Sequence, residues 1–278
     1  MSQKKKLRSG TYFFSRKSVV YDGENFCTRR DFILKSSAAA LLFFLPRPAR
    51  AAVRNNFNFL PAFWKTSSAV CTAGTQSFTA TASSPFTVPA NCTSVTIEIW
   101  GGGGGGGSGT NMGPGSRGGA GAGGGAYASK VKATSGGSTI AFTVGASAAG
   151  GIATSPFGNS GTAGNSSTCD GMTAGGGGAG GVSIGKLIAV RGLGGTATGG
   201  TTNTSGSNGV NGGMADGGAG GNSAAPNAGS GGAGAIWITP VSPIDGTVPG
   251  GGGGGGCRYY FAAGTGAVGA SGKITFTY

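Results

Sequence analysis

The side chains of residues 52–278 that could do chemistry are few: the carboxylates Glu98, Asp170, Asp216 and Asp245, the thiols Cys71, Cys92, Cys169 and Cys257, and no histidine at all. Without histidine the usual general base is missing, and with it the serine and cysteine nucleophile dyads and most zinc sites. A carboxylate pair for glycoside cleavage could be drawn from the four acids. Their positions, in one strand-like segment and in glycine-rich loops, give it no support. The cysteines show no C-x-x-C spacing, which argues against metal binding. Gly181-Val182-Ser183-Ile184-Gly185-Lys186-Leu187 fails as a phosphate loop, because Leu187 replaces the hydroxyl residue and the spacing is short. Arg117-Gly118-Gly119 and Arg191-Gly192 are two isolated arginine–glycine pairs, too few for an RNA-binding tract. No enzyme activity, cofactor or metal is expected. Binding is the remaining chemistry, and its candidates are aromatic: Arg258, Tyr259, Tyr260 and Phe261 follow Cys257 and a long glycine run, where amphipathic rings suit stacking on sugars or a protein partner.

The elements that would position these residues begin after an N-terminal targeting segment. Arg29-Arg30 precedes Phe32 and Ile33, an apolar run extends from Ser36 to Leu45, and Ala49-Arg50-Ala51 has the small-residue form of a cleavage site. A membrane-crossing helix needs ~20 apolar residues, so this run is too short to anchor the chain. The pattern resembles bacterial twin-arginine signals, which implies export of a folded protein by the twin-arginine translocase and cleavage after Ala51. The mature chain would then be periplasmic, cell-surface or secreted, with no transmembrane anchor. The long basic lead from Lys4 to Lys17 fits a start site placed upstream of the true one.

Removing residues 1–51 changes the charge. Eleven of the 20 lysines and arginines and three of the seven acids lie there, which leaves nine basic and four acidic residues, net +5. That is too dilute for a nucleic-acid footprint. Cys27 leaves as well, so four cysteines remain in an exported chain and two disulfides are favoured. Of the three possible pairings, Cys71 with Cys92 and Cys169 with Cys257 is the one expected.

Composition shifts abruptly at Gly101, beyond which lie 61 of the 64 glycines. Collagen is excluded, because runs such as Gly101 to Gly107 and Gly250 to Gly256 break the three-residue period and proline is scarce. Simple disorder is opposed by short β-type segments spaced through the glycine: Val95–Trp100, Ala126–Lys132, Thr139–Val144, Lys186–Val190, Ala235–Ile238 and Lys273–Tyr278. In the first, Val95, Ile97 and Ile99 alternate with Thr96, Glu98 and Trp100; in the last, Ile274, Phe276 and Tyr278 repeat the pattern. The first and last strands are expected in one sheet. Chains of glycine, alanine and serine can take the extended three-residue helix, whose amides need partners on neighbouring chains. The expected fold is mostly β and irregular: a small β-sheet base carrying a bundle of polyglycine II helices. The organisation is 1–51 targeting segment, 52–85 linker or cap, and 86–278 glycine-rich domain.

The stretch Phe86-Thr87-Val88-Pro89-Ala90-Asn91-Cys92-Thr93-Ser94-Val95-Thr96-Ile97-Glu98-Ile99-Trp100, running into Gly101–Gly104, resembles the opening of glycine-rich domains of phage tail-fibre adhesins and bacterial surface proteins. Gly123–Ala128, Thr139–Ala146 and the closing Gly272–Thr277 follow the same plan. The resemblance implies stacked polyglycine helices whose loops contact a surface receptor, a glycan or a protein. The export signal departs from a virion component and favours a bacterial surface or secreted protein. The alternatives are a structural matrix or coat protein without a specific ligand and, further off, an ice-binding protein.

Overall fold

The computed structural model describes residues 19–22, 25–28, 70–79, 82–83, 85–111, 115, 117–154, 157–184, 187–236, 241–258 and 264–278. They fall into two compact units, residues 1–68 and 69–278. In the first, Val19–Asp22 (β1) and Asn25–Thr28 (β2) pair antiparallel. The targeting residues Arg29, Arg30, Phe32, Ala49 and Ala51 lie outside the described residues.

The second unit contains strands and irregular backbone, with no helix among the described residues. This follows from its composition, since β-branched residues favour strands and glycine disfavours the α-helix by about 1 kcal/mol per residue. Five strands form the main sheet: Thr75–Thr79 (β3), Ser94–Trp100 (β5), Tyr127–Ala133 (β6), Thr202–Thr204 (β14) and Lys273–Thr277 (β15), in the order β14-β6-β5-β15-β3. A second sheet joins Phe142–Thr143 (β8), Ser167–Cys169 (β11), Met172–Ala174 (β12) and Ala197–Thr198 (β13), and Phe86–Thr87 (β4) pairs with Thr139–Ile140 (β7). All of these pairs are antiparallel.

The first and last strands of the glycine-rich region do share a sheet, with Ile97 opposite Phe276 and Ile99 opposite Ile274. The alternation read from sequence sets their inner face. Val95, Ile97, Ile99, Ile274 and Phe276 are wholly buried and pack with Phe142, Cys169, Met172 and Ala174 of the second sheet. Phe86 stacks on Phe276 with ring centroids 4.2 Å apart. Each such side chain contributes roughly 1.5–3 kcal/mol by leaving water. β3 lies in the stretch read as a linker or cap, and it covers one edge of the main sheet through the register Thr75↔Thr277 to Thr79↔Lys273. Two expected strands are not seen among the described residues. Leu187 to Val190 is irregular, and Ile236 makes only an isolated bridge to Val241, with Trp237 and Ile238 outside the described residues.

Beyond Trp100 the backbone bonds with a period of three. The N–H groups of Gly101, Gly104 and Gly107 donate to the carbonyls of Ala126, Gly123 and Ala120. Those of Gly102, Gly105 and Ser108 donate to Asn165, Thr162 and Asn159, and those of Gly103, Gly106 and Gly109 to Ala270, Ala267 and Gly264. Each third residue therefore meets the same neighbouring segment. Carbonyls of the same run accept from Gly151, from Gly177 and Gly180, and from Gly253 and Gly256. Segment 101–109 is thus bonded on all sides. Segments 118–126 and 250–256 are enclosed in the same way, and the three touch one another through Gly104 N–H to Gly123, Gly253 N–H to Gly104 and Ala122 N–H to Gly253.

Around this trio runs an outer series: 145–151, 159–165, 175–181, 189–195, 206–213, 217–224, 229–235, 244–247 and 264–272. Successive members are joined by Thr162 to Ala149, Gly164 to Gly177, Gly178 to Leu193, Gly206 to Gly195, Ser207 to Asn222, Gly220 to Gly232, Ile244 to Ala233 and Gly246 to Val268. Gly266 N–H to Gly151 closes the ring. Glycine is needed in the middle because the segments approach too closely for side chains. A Cβ at Gly105 would stand 1.9 Å from the Ala149 carbonyl oxygen. Along ring segment 189–195 every third residue faces inward: Ala189, Gly192 and Gly195 are buried, whereas Arg191 and Leu193 are exposed.

The expected Cys71–Cys92 disulfide is present. Cys169 and Cys257 are instead separate, buried free thiols, which corrects the second pairing. The reason is placement. Cys169 belongs to the sheet core, while Cys257 lies beside Gly109, eight residues along an extended run from Gly101. At ~3.1 Å per residue that run covers ~25 Å, far beyond the ~7 Å Cα limit of a disulfide.

Candidate functional site at the distal loops

The ends of the glycine segments are unlike. At one end they join the main sheet, where Gly101 follows Trp100, Ala126 precedes Tyr127 and Gly272 precedes Lys273. At the other lie the described segment ends 109–111, 117–118, 151–154, 157–159, 181–184, 187–189, 213–217, 235–236, 241–244, 256–258 and 264–266, here called the distal loops. A buried polar network fixes several of these loops together. Ser183 Oγ donates to the Arg117 carbonyl at 3.2 Å, which leaves the Thr110 hydroxyl to donate to Ser183 Oγ at 2.9 Å. Ser108 Oγ donates to the Asn159 carbonyl and accepts from the Asn159 N–H at 2.7 Å. That anchors the small hairpin of Ala153–Thr154 (β9) and Phe157–Gly158 (β10). The Arg258 N–H donates to the Ala215 carbonyl at 2.9 Å.

On this bonded platform the loops hold out apolar side chains. Ile152, Phe157, Ile184, Leu187, Ile188, Met214, Ile236 and Val241 are all exposed, Met214 at 78 % and Ile184 at 70 %. Other large apolar residues are exposed away from these loops, Leu193 at 64 % and Val210 at 55 % on the ring and Val131 at 67 % on β6, so the distal set is one part of the exposed apolar surface, singled out as a candidate interaction surface by its place on loops. The sequence reading took Leu187, Ile188 and Ile236 as strand residues and did not single out Ile152, Phe157, Ile184, Met214 and Val241, although large apolar residues stand out where glycine, alanine and serine otherwise prevail. Of the residues expected to bind, Arg258 is half-buried at this end, and Tyr259, Tyr260 and Phe261 lie outside the described residues.

The carboxylates are dispersed over different elements. Glu98, in β5, accepts a 2.8 Å hydrogen bond from the Tyr127 hydroxyl. Asp245 accepts from the Val268 N–H at 2.8 Å, and Asp216 sits in a distal turn. Asp170 occupies the β11–β12 turn with φ 48°, followed by Gly171 at φ 76°. This Asp-Gly pair has the signs required of a two-residue hairpin turn. Lys130 lies 2.7 Å from Asp170 Oδ2, and Lys132 pairs with Oδ1. Burial pushes the Asp170 carboxyl up, but the two ammonium groups outweigh it and hold the carboxyl below its ordinary range. The neighbouring Cys169 thiol is pushed up to about 12, first by burial and then by the Asp170 charge. A thiol so protonated is a poor nucleophile. Among the described residues no group of three or more acids and cysteines is placed to hold a metal, and no helix is long and apolar enough to cross a membrane.

Side-chain oxygens also cap outward-facing amides of the ring. Asn211 Oδ1 accepts from the Arg191 N–H at 2.9 Å, Asn208 Oδ1 from Gly194 and Asn222 Oδ1 from Gly231, both at 2.8 Å. The polar side chains on the sides thus serve the scaffold, whereas the apolar ones at the distal end have no such use.

Residues 79–278 match a family described as a glycine-rich domain. No curated protein matches the chain.

Proposed function

Because the chain belongs to the glycine-rich domain family across residues 79–278, we propose that it is an exported, non-enzymatic surface or secreted protein of adhesin type. Its glycine segments are polyglycine II helices, a reading supported by the three-residue bonding period and the closed ring of segments. The distal loops make the contacts. The observation that carries this reading is the gathering of exposed apolar side chains on loops at the end remote from the main sheet. Arg258, Tyr259, Tyr260 and Phe261 belong to one of those loops in the sequence and supply rings and charge for a glycan or a cell-surface receptor. Residues 1–51 act as a twin-arginine signal, with Arg29, Arg30 and Phe32 read by the translocase and cleavage after Ala51.

Binding of the secreted chain to a panel of glycans and whole cells tests the proposal. Saturable attachment that falls by about tenfold or more in a Tyr259→Ala/Tyr260→Ala variant, with unchanged circular dichroism, supports it. No saturable attachment to any cell or glycan would overturn it in favour of an inert matrix or coat protein. The targeting segment has its own test: Arg29→Lys/Arg30→Lys should hold the protein in the cytoplasm, and the exported chain should begin at Ala52.

A further inference from the structure

We propose that two copies of this chain pair through β3, edge to edge and antiparallel, so that the main sheet runs on from one copy into the other. The pairing goes beyond the contacts of the distal loops and does not depend on them.

β3 is the last strand of the main sheet, and one of its edges faces β15. Gly74 and Tyr278 exchange both backbone hydrogen bonds, at 2.8 and 3.0 Å. Antiparallel partners alternate between such mutual pairs and unbonded ones, so in the register Thr75↔Thr277 to Thr79↔Lys273 the next mutual pairs are Gln76 with Phe276 and Phe78 with Ile274. The N–H and C=O groups of Thr75, Ser77 and Thr79 therefore point off the sheet, and among the described residues they meet no backbone partner. Thr75, Gln76, Ser77 and Thr79 are exposed, and Phe78 is half-buried. An edge of this kind is a template for another strand unless it is blunted by charge, proline, a bulge or brevity. β3 has none of these: it is five residues long, pairs residue for residue with β15, and contains neither proline nor a charged residue. The opposite edge differs, since β14 has only three residues.

The occupant follows from the symmetry of the strand. With Ser77 on a twofold axis, each Thr75 faces the partner's Thr79, and all three outward residues fall into mutual pairs. That gives about six hydrogen bonds, within the ~5–15 of an ordinary interface. The same register makes the two Phe78 rings diagonal neighbours on the inner face, continuing the packing of Phe78 on Phe142 at 4.6 Å and on Phe276 at 6.0 Å. On the outer face it sets hydroxyl against hydroxyl, as Ser77 already stands 3.0 Å from Thr275. Charge agrees: residues 52–278 carry net +5 but residues 70–79 carry none, so two like-charged copies meet here without opposed charges. The glycine segments leave the sheet past Trp100, Tyr127 and Lys273, the end at which Thr79 lies, so an antiparallel pair points its two bundles in opposite directions.

Sedimentation velocity of the purified chain over a concentration series is the test. The expected result is a reversible dimer. Ser77→Pro removes one outward N–H and no bond to β15, so it should weaken the dimer by about tenfold or more with unchanged circular dichroism. Thr75→Lys/Thr79→Lys sets like charges opposite one another and should leave monomers, as should Thr75→Glu/Thr79→Glu. Mixing these two double variants should restore a dimer made of one of each. That restoration supports the proposal even if Ser77→Pro fails to fold. A parent that is monomeric at every concentration would overturn it, as would a dimer that all three variants leave intact or a lysine–glutamate mixture that stays monomeric.

Discussion

Gly104 and Gly123 face one another across two antiparallel segments, the Gly104 N–H donating to the Gly123 carbonyl at 3.0 Å, and neither has room for a methyl group. A Cβ at Gly104 would stand 2.2 Å from the Gly178 oxygen, and one at Gly123 would stand 1.9 Å from that of Leu193. The bond and the missing side chains are one fact, because only bare backbones come close enough to satisfy amides in the middle of a protein without α-helix or sheet.

The first prediction follows from that closeness. Gly105→Ala should destabilise the fold by about 3 kcal/mol or more, since the obstruction is a backbone carbonyl that several neighbours hold in place. Ala163→Ser, at an exposed position of the outer ring, should change stability by no more than about 0.5 kcal/mol. Denaturant unfolding of both variants measures the contrast.

A second concerns the lysine pair at the Asp170 turn. The carboxyl is held below its ordinary value of 3.8, so its stabilisation is complete above that value and is lost as pH falls through the lower, folded one. Asp170→Asn should therefore be less stable than the parent by about 1–2 kcal/mol at pH 7. The gap should close as both proteins are acidified below the usual carboxylate range. Thermal unfolding across pH 2 to 7, roughly the carboxylate titration range, reads this directly.

Cysteine chemistry gives a third. Peptide mapping after alkylation in denaturant should recover Cys71 linked to Cys92, with Cys169 and Cys257 alkylated. Under native conditions at neutral pH, Cys169 should resist alkylation, as its thiol titrates only near 12. Cys71→Ser should cost about 3 kcal/mol, the chain-entropy value for a loop of 21 residues.

The fourth tests the rim. Asn208→Ala and Asn211→Ala each remove the acceptor of one ring amide, so Gly194 and Arg191 respectively should exchange their amide hydrogens faster, while the amides of Gly121 and Gly124 remain protected. Global stability should fall by no more than about 1 kcal/mol in either variant, because these bonds are exposed.

The sheet was the legible part of the fold. Alternation alone places Val95, Ile97, Ile99, Ile274 and Phe276 on one face, because a half-buried strand repeats every two residues. Lys186 to Val190 misled for the same reason: its β-type composition is real, but Leu187, Ile188 and Val190 are exposed on irregular backbone at the loop end. The glycine blocks hid a distinction that becomes plain once the ring is known. Unbroken runs such as Gly101–Gly107 and Gly250–Gly256 are surrounded on every side, whereas a tract such as 206–212 keeps glycine only at Gly206, Gly209 and Gly212, where it turns inward, with Asn208, Val210 and Asn211 outward. The wrong cysteine pairing shows what composition lacks, namely distance along an extended segment. Ile152, Ile184 and Met214 went unmarked because single residues have no periodicity to announce them, whereas Leu187, Ile188 and Ile236 were absorbed into expected strands.

The three enclosed segments are not consecutive in the chain: 101–109 and 118–126 come first, and 250–256 fits between them only after most of the ring has been made. A growing chain therefore carries an empty channel along its axis until its final quarter is available, and β15 must still arrive to close the sheet against β5. Contacts that join residues so far apart in sequence form slowly and together. Truncation before residue 250 should leave amides throughout the middle without partners, so chains shortened that far are expected to collapse as wholes rather than persist as smaller working pieces.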